Sequence, residues 1–256
     1  EMELQKSRET FNIQTRYRVR QGSYGEYHGI KSIECEEIIR GNSAISEEEM
    51  LSLRPLHWLV WYGWNHCFLK PVLKFAQKEH GINPLDVMVE IVEASCESHP
   101  QIAKLFSDFR SLAQGEWFES RKSLYDFYFQ EKNWDKLFSQ GFSKVEFKYN
   151  SLLIIAEGLY DDLLELLHEI LRKREPSIDA ELILRIMRER LIHPDSLFND
   201  GVNEEKNIPI PHYLTKYILD FEQTETKGQD KEVMLKLVKS SAQQGKVKAQ
   251  LSKYRY

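Results

Sequence analysis

The sequence predicts a mostly α-helical protein: a multi-helix, bundle-like domain with a short N-terminal strand or hairpin segment. Apolar residues recur at helical spacing from residue 46 onward, and capping residues and prolines mark the ends of these stretches. The clearest alternating stretch lies near the N-terminus. Hydrophobic residues make up 41% of the 256 positions, and Gly and Pro are scarce, which excludes wholesale disorder and a fibrous repeat.

The N-terminal 45 residues predict a glycine-rich loop followed by one strand. Gly22, Gly25 and Gly29 favour a loop or turn over residues 21–29, and residues 30–40 alternate unevenly as a strand. This strand pairs either with a segment absent from this chain or with residues 17–19 as a hairpin. The glycines do not predict a phosphate loop, because no Lys-Ser/Thr follows them and the next element is not a helix.

Helices dominate the rest of the chain. Ser46 and Glu49 form a capping box that opens the first helix, which breaks at Asn65. Gly81 predicts a helix C-cap, and Ser177 is predicted to cap a later helix. Further helices are predicted at residues 68–80, from 84, from 100, at 149–174, at 178–191 and at 213–221. Residues 199–211 predict a polar loop, and residues 233–238 fit either a helix or a strand.

Four consecutive regions follow from these patterns. They are the glycine-rich segment and strand at 1–45, an aromatic-rich helical region at 46–145, a leucine-rich helical region at 146–222 and a charged tail at 223–256. The boundary between the two helical regions is placed at residues 142–150, where aromatic composition gives way to leucine.

Composition excludes several classes of partner. The net charge is −5 at pH 7, which argues against a nucleic-acid-binding protein, and the basic tail lacks interleaved stacking platforms. The most apolar stretch, residues 56–64, is far shorter than the roughly 20 residues that a membrane span needs. Three widely spaced cysteines and no visible secretory signal favour a soluble protein of a reducing compartment, the cytoplasm.

No catalytic residue and no metal ligand is predicted. Closely spaced Cys or His pairs are typical of zinc and iron–sulfur sites, and none occurs here. His66 and Cys67 are adjacent, so on a helix their side chains point in different directions. The acidic runs at 47–49 and 161–162 suit a helix N-terminus and a solvated helix face respectively.

His57 is the most informative single residue. Arg54 lies three positions before it, so the two share a helix face beside Trp58 and Trp61. An Arg and a His among aromatic residues suit an anionic substrate. The simpler alternative is a partly buried His whose hydrogen bonds are satisfied within the fold. The aromatic residues at 58–64 are too dense for one helical stripe, which indicates burial between neighbours or contact with another domain.

Part of the chain resembles the region just after the catalytic barrel in B12-binding-domain radical SAM proteins. The resemblance is carried by residues 23–30, 34–39 and 46–49 and by Arg54-Pro55-Leu56-His57-Trp58. In that family a glycine-rich segment and a strand precede a helical C-terminal extension. The extension often carries a Phe-x-x-Pro-x-x-Lys-like helix, here Phe68-Leu69-Lys70-Pro71-Val72-Leu73-Lys74. The resemblance covers residues 17–95 in outline.

The resemblance implies a parent enzyme with a cobalamin-binding domain and a barrel that holds a [4Fe–4S] cluster and S-adenosylmethionine. The Cys-x-x-x-Cys-x-x-Cys loop that binds such a cluster is absent from this chain, so no cofactor is expected within it. The chain is then expected to be an accessory region, not catalytic alone, that covers the barrel mouth. Its predicted substrate-pocket residues are Tyr27, Arg54, His57 and Trp61.

Two hypotheses about partners follow. In the first, the partner is the upstream part of the same polypeptide; the non-Met residue at position 1 and a lone strand fit a cut at the end of a barrel. This hypothesis predicts an exposed apolar patch at residues 58–64 and self-association. In the second, the chain is a free-standing helical module that binds another protein and unfolds in a single cooperative transition. A stand-alone helical enzyme has no motif in its favour.

Overall fold

The computed structural model describes residues 2–93, 98–142, 144–149, 158–190, 204–218 and 232–239. Most of these residues are helical, as the sequence predicts. The helices are α1 (Met2–Thr10), α2 (Glu47–Leu59), α3 (Lys70–His80), α4 (Pro84–Val92), α5 (Pro100–Gly115), α6 (Arg121–Tyr128), α7 (Glu131–Gln140), α8 (Val145–Lys148), α9 (Leu159–Arg174), α10 (Glu181–Arg190) and α11 (Thr215–Ile218). No helix in the described ranges is long and apolar enough to cross a membrane.

Within the described ranges, four strands form two separate two-stranded antiparallel sheets. They are β1 (Gln14–Tyr27), β2 (Ile30–Gly41), β3 (Glu204–Pro211) and β4 (Glu232–Lys239). A π-helical segment, Val60–Asn65, follows α2 directly, and a 3₁₀ turn, His212–Leu214, precedes α11.

The chain divides into two compact units, each built from two stretches of sequence. Unit 1 comprises Glu1–Pro55 and Phe106–Tyr149, and unit 2 comprises Leu56–Leu105 and Asn150–Arg255. One change of unit, after Tyr149, lies within the predicted boundary at residues 142–150. The other two changes fall inside the predicted aromatic-rich region 46–145, within helices α2 and α5.

The hairpin of β1 and β2 is the organising element of unit 1. Tyr17 pairs with Glu37 and Tyr27 with Ile30, which confirms the hairpin alternative for the N-terminal strand. The predicted loop over residues 21–29 is wrong, because β1 continues to Tyr27 and only His28 and Gly29 form the turn, both at positive φ. Gly22, also at positive φ, lies in a bulge between the paired residues Val19 and Tyr24.

Helices α6 and α7 pack against one face of this hairpin. The buried side chains Val19 and Ile33 form a core cluster with Leu124, Trp134 and Leu137. Cross-strand residues on one face of a hairpin point the same way, so alternate pairs of β1 and β2 supply this core. Helix α1, which the sequence did not predict, is joined to β2 by two Arg8–Glu37 hydrogen bonds of 3.0 Å.

Local capping chemistry matches the sequence prediction at α2 and α3, and α4 has a side-chain cap as well. The Ser46 N–H donates to Glu49 at 2.8 Å and the Glu49 N–H donates to the Ser46 hydroxyl at 3.1 Å, a reciprocal capping box before α2. Gly81 ends α3 in the left-handed conformation, and the Asn83 side chain accepts the Leu85 N–H at the start of α4.

Two local predictions in unit 2 are wrong, and two others are confirmed or described in part. Ser177 does not cap α10, which begins at Glu181; both its N–H and its hydroxyl bond to the Glu175 carboxylate. Residues 204–211 of the predicted polar loop form β3, in which Ile208 and Ile210 are buried; residues 199–203 lie outside the described ranges. The alternative of a strand at residues 233–238 is confirmed by β4. The predicted helix 149–174 is described from Leu159 onward, as α9.

Candidate functional site

The four predicted pocket residues belong to different units. Tyr27 and Arg54 are part of unit 1, whereas His57 and Trp61 are part of unit 2. Tyr27 is 68% exposed at the end of the hairpin. His57 is exposed on α2, so the alternative of a partly buried His is wrong. Trp61 is half-buried in the π-helical segment, where its ring meets His66 edge-on at 4.2 Å between centroids.

Arg54 is held by partners within unit 1. Its Nε and Nη2 donate to Glu146 Oε1 at 3.0 and 2.6 Å, and Nη2 also donates to Glu116 Oε2 at 2.9 Å. Nη1 donates to the Ala113 carbonyl at 3.1 Å. The predicted contact of Arg54 with an anionic substrate therefore has to compete with two carboxylates of the fold itself.

Three arginines converge on one tryptophan, an arrangement that sequence spacing did not reveal. The guanidinium carbons of Arg18, Arg40 and Arg54 lie 4.6, 4.5 and 5.6 Å from the centroid of Trp117. We call these four residues the Arg–Trp cluster. Arg18 and Arg40 come from the two strands of the hairpin, Arg54 from α2, and Trp117 from the segment after α5, so only the tertiary fold brings them together. Each contact has cation–π geometry.

Carboxylates surround the Arg–Trp cluster unevenly. Glu116 is buried; its Oε2 faces Arg54 and, at 3.8 Å, Arg18, while Oε1 accepts the backbone N–H of Val145. Glu36 Oε1 accepts from Arg18 Nε at 2.5 Å. Burial alone would raise the pKa of Glu36, but the hydrogen bond and charge of Arg18 and the charge of Lys144 outweigh burial, and the pKa is lowered.

The positive charge of Arg40 lies farther from a carboxylate than the charges of Arg18 and Arg54 do. It is only 4% exposed, yet its nearest carboxylate oxygen, Glu47 Oε1, lies 3.6 Å from Nε. Burial and the charge of Arg54 lower the pKa of Arg40. Arg40 Nε and Trp117 Nε1 are buried and have no hydrogen-bond partner among the residues that the structure describes.

The aromatic residues around the π-helical segment form part of the core of unit 2. Trp58 stacks on Tyr62 with centroids 5.2 Å apart, and Tyr62 stacks on Phe68 at 4.5 Å. Trp58 and Tyr62 are both buried. The accessory hypothesis predicted an exposed apolar patch at residues 58–64, and this prediction is wrong for Trp58 and Tyr62.

A different apolar feature is exposed, at the tip of the hairpin. Tyr27 and Ile30 are a cross-strand pair, 68% and 70% exposed, and therefore share one face. The neighbouring pair, Glu26 and Lys31, points to the other face: Glu26 accepts the Trp134 indole N–H at 3.2 Å, and Lys31 lies 5.3 Å above the Trp134 ring. The exposed pair is thus fixed on a braced hairpin end.

The described residues offer no site for the metals that the resemblance implies in a parent enzyme. No group of three or more His, Cys, Asp or Glu side chains is placed to hold a metal ion in this part of the chain. Cys35 Sγ lies 3.8 Å from the Tyr125 hydroxyl, and Cys67 is exposed. These residues do not fit a [4Fe–4S] cluster, which takes several thiolate ligands. Comparison with known proteins finds no matching family model and no matching curated protein.

Proposed function

We propose that this chain is a non-catalytic accessory region that docks on a catalytic domain. From the resemblance of residues 17–95, we infer that this domain is the barrel of a cobalamin-dependent radical SAM enzyme. The observation that carries the docking step is the braced apolar tip of Tyr27 and Ile30. Two large apolar side chains held in water on one face lose exposed area when a partner covers them.

The proposal assigns different roles to the four predicted pocket residues. Tyr27, at the tip, contacts the partner directly, and exposed His57 contributes from α2. Arg54 supports the fold through Glu116 and Glu146, and Trp61 packs against His66. A bundle-like arrangement of the helices and a cytoplasmic location belong to the same proposal. [4Fe–4S], S-adenosylmethionine and cobalamin are then cofactors of the parent protein and not of this chain.

The coding sequence upstream of position 1 gives the first test. A Cys-x-x-x-Cys-x-x-Cys motif in the same reading frame is the expected result. In the full-length enzyme, the double variant Tyr27→Ser, Ile30→Ser is then expected to lower the melting temperature and turnover together. Ile39→Ser is the matched control, because Ile39 is an exposed isoleucine of the same hairpin far from the tip. Equal effects of the two substitutions would contradict docking through the tip.

A pocket role is tested separately from docking. His57→Ala in the full-length enzyme is expected to raise KM with little change in melting temperature, because an exposed side chain contributes little to stability. An unchanged KM and kcat would remove His57 from the pocket and leave the docking proposal intact.

The second candidate function is a free-standing module that binds another protein. The observation that favours it is the hairpin itself, because β2 finds its pairing strand, β1, within this chain. A start codon at or next to Met2 and a monodisperse chain with one cooperative unfolding transition are the results that would place this function first.

A further inference from the structure

The ring of Tyr27 lies against Gly25 at the exposed end of the hairpin. Both residues belong to β1, and because they are two positions apart they share one face of the hairpin. A Cβ built on Gly25 would lie 3.2 Å from Cε2, 3.3 Å from Cζ and 3.2 Å from the hydroxyl oxygen of Tyr27. The far end of the tyrosine side chain therefore occupies the place that a side chain at position 25 would take.

This contact fixes the direction of the Tyr27 side chain. Residues two apart in a strand are separated by about 7 Å, and side chains of a strand ordinarily stand roughly perpendicular to the sheet. A ring whose Cζ and hydroxyl reach Gly25 has to lie back along β1 instead. Gly25 is buried, and its cross-strand partner Ser32 is small. The tip is therefore low and flat, with the ring of Tyr27 beside Ile30, its partner across the strands.

Backbone conformation does not explain why position 25 is a glycine. Gly22 and Gly29 of the same hairpin have positive φ, which favours glycine, whereas Gly25 does not. Glycine inside a strand often marks a place where another group approaches the backbone closely. The group that approaches here is the ring of Tyr27. An alanine would suit the backbone of Gly25 but would push the ring out of its place.

We propose that Gly25 is a positioning residue of the docking tip. By leaving room for the ring, it lets Tyr27 and Ile30 form one flat apolar surface, which fits a flat apolar face of the catalytic domain and not a deep pocket. This inference rests on the proposed docking through the tip and adds the shape of the partner surface. A ring that is already held against Gly25 also loses less rotamer freedom when the partner covers it.

The opposite arrangement is a ring that leaves Gly25 and enters a pocket of the catalytic domain. The two arrangements predict effects of opposite sign for Gly25→Ala. An alanine that pushes the ring outward weakens docking on a flat face, because the ring then holds the two surfaces apart. The same alanine favours docking into a pocket, because the ring is displaced from β1 before the partner binds.

The first measurement concerns the position of the ring in this chain alone. Nuclear Overhauser cross-peaks between the Hα protons of Gly25 and the ring protons of Tyr27 are expected in the isotope-labelled chain, because the two groups are in contact. Absence of these cross-peaks would overturn the positioning role, whatever the catalytic domain does.

The second measurement compares Gly25→Ala, Tyr27→Ser and the double variant in the full-length enzyme. Gly25→Ala is expected to lower turnover and melting temperature, and to cause no further loss of turnover once Tyr27→Ser has removed the ring. A merely structural role of Gly25 would cause the same loss with and without the ring. Gly115→Ala is the matched control, because a Cβ at Gly115 meets no atom within 4 Å, and it is expected to leave turnover unchanged.

Three results of this comparison would overturn the proposal. An equal loss of turnover from Gly25→Ala in both backgrounds would mean that Gly25 does not act through the ring. A gain in turnover and melting temperature would favour the pocket. If the cross-peaks are present but Tyr27→Ser itself changes nothing, docking through the tip is wrong, and the positioning role is wrong with it.

Discussion

Glu116 and Arg54 form an almost wholly buried ion pair within unit 1, with Arg54 Nη2 2.9 Å from Glu116 Oε2. The second oxygen of Glu116 accepts the Val145 N–H, so one carboxylate ties α2 to the start of α8. The pair also shows that Arg54, predicted as a substrate contact, is already bonded to carboxylates of the fold. Removing a buried carboxylate whose two oxygens are both bonded is expected to destabilise the fold strongly.

Glu116→Gln is expected to lower the free energy of unfolding of unit 1 by about 3 kcal/mol, because the substitution leaves Arg54 buried without its full counter-charge. Urea denaturation followed by tryptophan fluorescence measures this loss. Glu34→Gln removes an exposed partner of Arg20 and is expected to cost less than about 1 kcal/mol. Similar losses of unfolding free energy in both variants would mean that the buried ion pair of Glu116 stabilises the fold no more than an exposed one.

Local chemistry explains which parts of the fold the sequence predicts. The capping box of Ser46 and Glu49 and the glycine C-cap at Gly81 depend only on residues close in sequence, and both are confirmed. The sequence did not predict strand β3, because Pro209 and Pro211 favour a loop. Ile208 and Ile210 nevertheless alternate as they do in a strand.

The candidate site depends on contacts that no local pattern encodes. Arg18, Arg40 and Trp117 are far apart in sequence, and the register of the hairpin decides which side chains share a face. A shift of one residue would turn Arg18 to the opposite face, away from Trp117. The sequence prediction therefore named one member of the cluster, Arg54, but not the residues that surround it.

Acid is expected to weaken the link between α1 and the hairpin. Hydrogen bonds from Arg8 and Thr15 hold the pKa of Glu37 at about 2, below its ordinary value of 4.5. Because the folded-state pKa is depressed, this contribution to stability is full above about pH 4.5 and is lost as the pH falls through about 2. The stability difference between the wild-type chain and Glu37→Gln should follow this profile.

Denaturation at a series of pH values measures that difference. Thr15→Val removes one of the hydrogen bonds that lower the pKa of Glu37 and should move the midpoint of the profile to higher pH. A difference between the wild-type chain and Glu37→Gln that stays constant from pH 5 to pH 2 (about the range that a depressed carboxyl pKa spans) would exclude the predicted role of Glu37.

Gly81 is expected to resist substitution for reasons of backbone conformation alone. Its φ is 68°, and a Cβ added there would meet no atom within 4 Å. Gly81→Ala should therefore cost about 1 kcal/mol from left-handed strain and not from a clash. Gly115→Ala is the matched control at an equally open position without positive φ, and it is expected to stabilise α5 by about 0.5 kcal/mol. Melting temperatures that move in the same direction for both variants would contradict this reasoning.

Two tyrosines of unit 2 are expected to respond oppositely to the loss of a hydroxyl. The Tyr62 hydroxyl is buried without a hydrogen-bond partner among the described residues, whereas the Tyr160 hydroxyl donates to the Phe68 carbonyl at 2.8 Å. Tyr62→Phe removes an unsatisfied polar group and should leave the free energy of unfolding unchanged or raise it by up to about 1 kcal/mol. Tyr160→Phe should lower it by about 1 kcal/mol. Urea denaturation of both variants compares them directly, and a clear loss of stability in Tyr62→Phe would show that its hydroxyl has a partner.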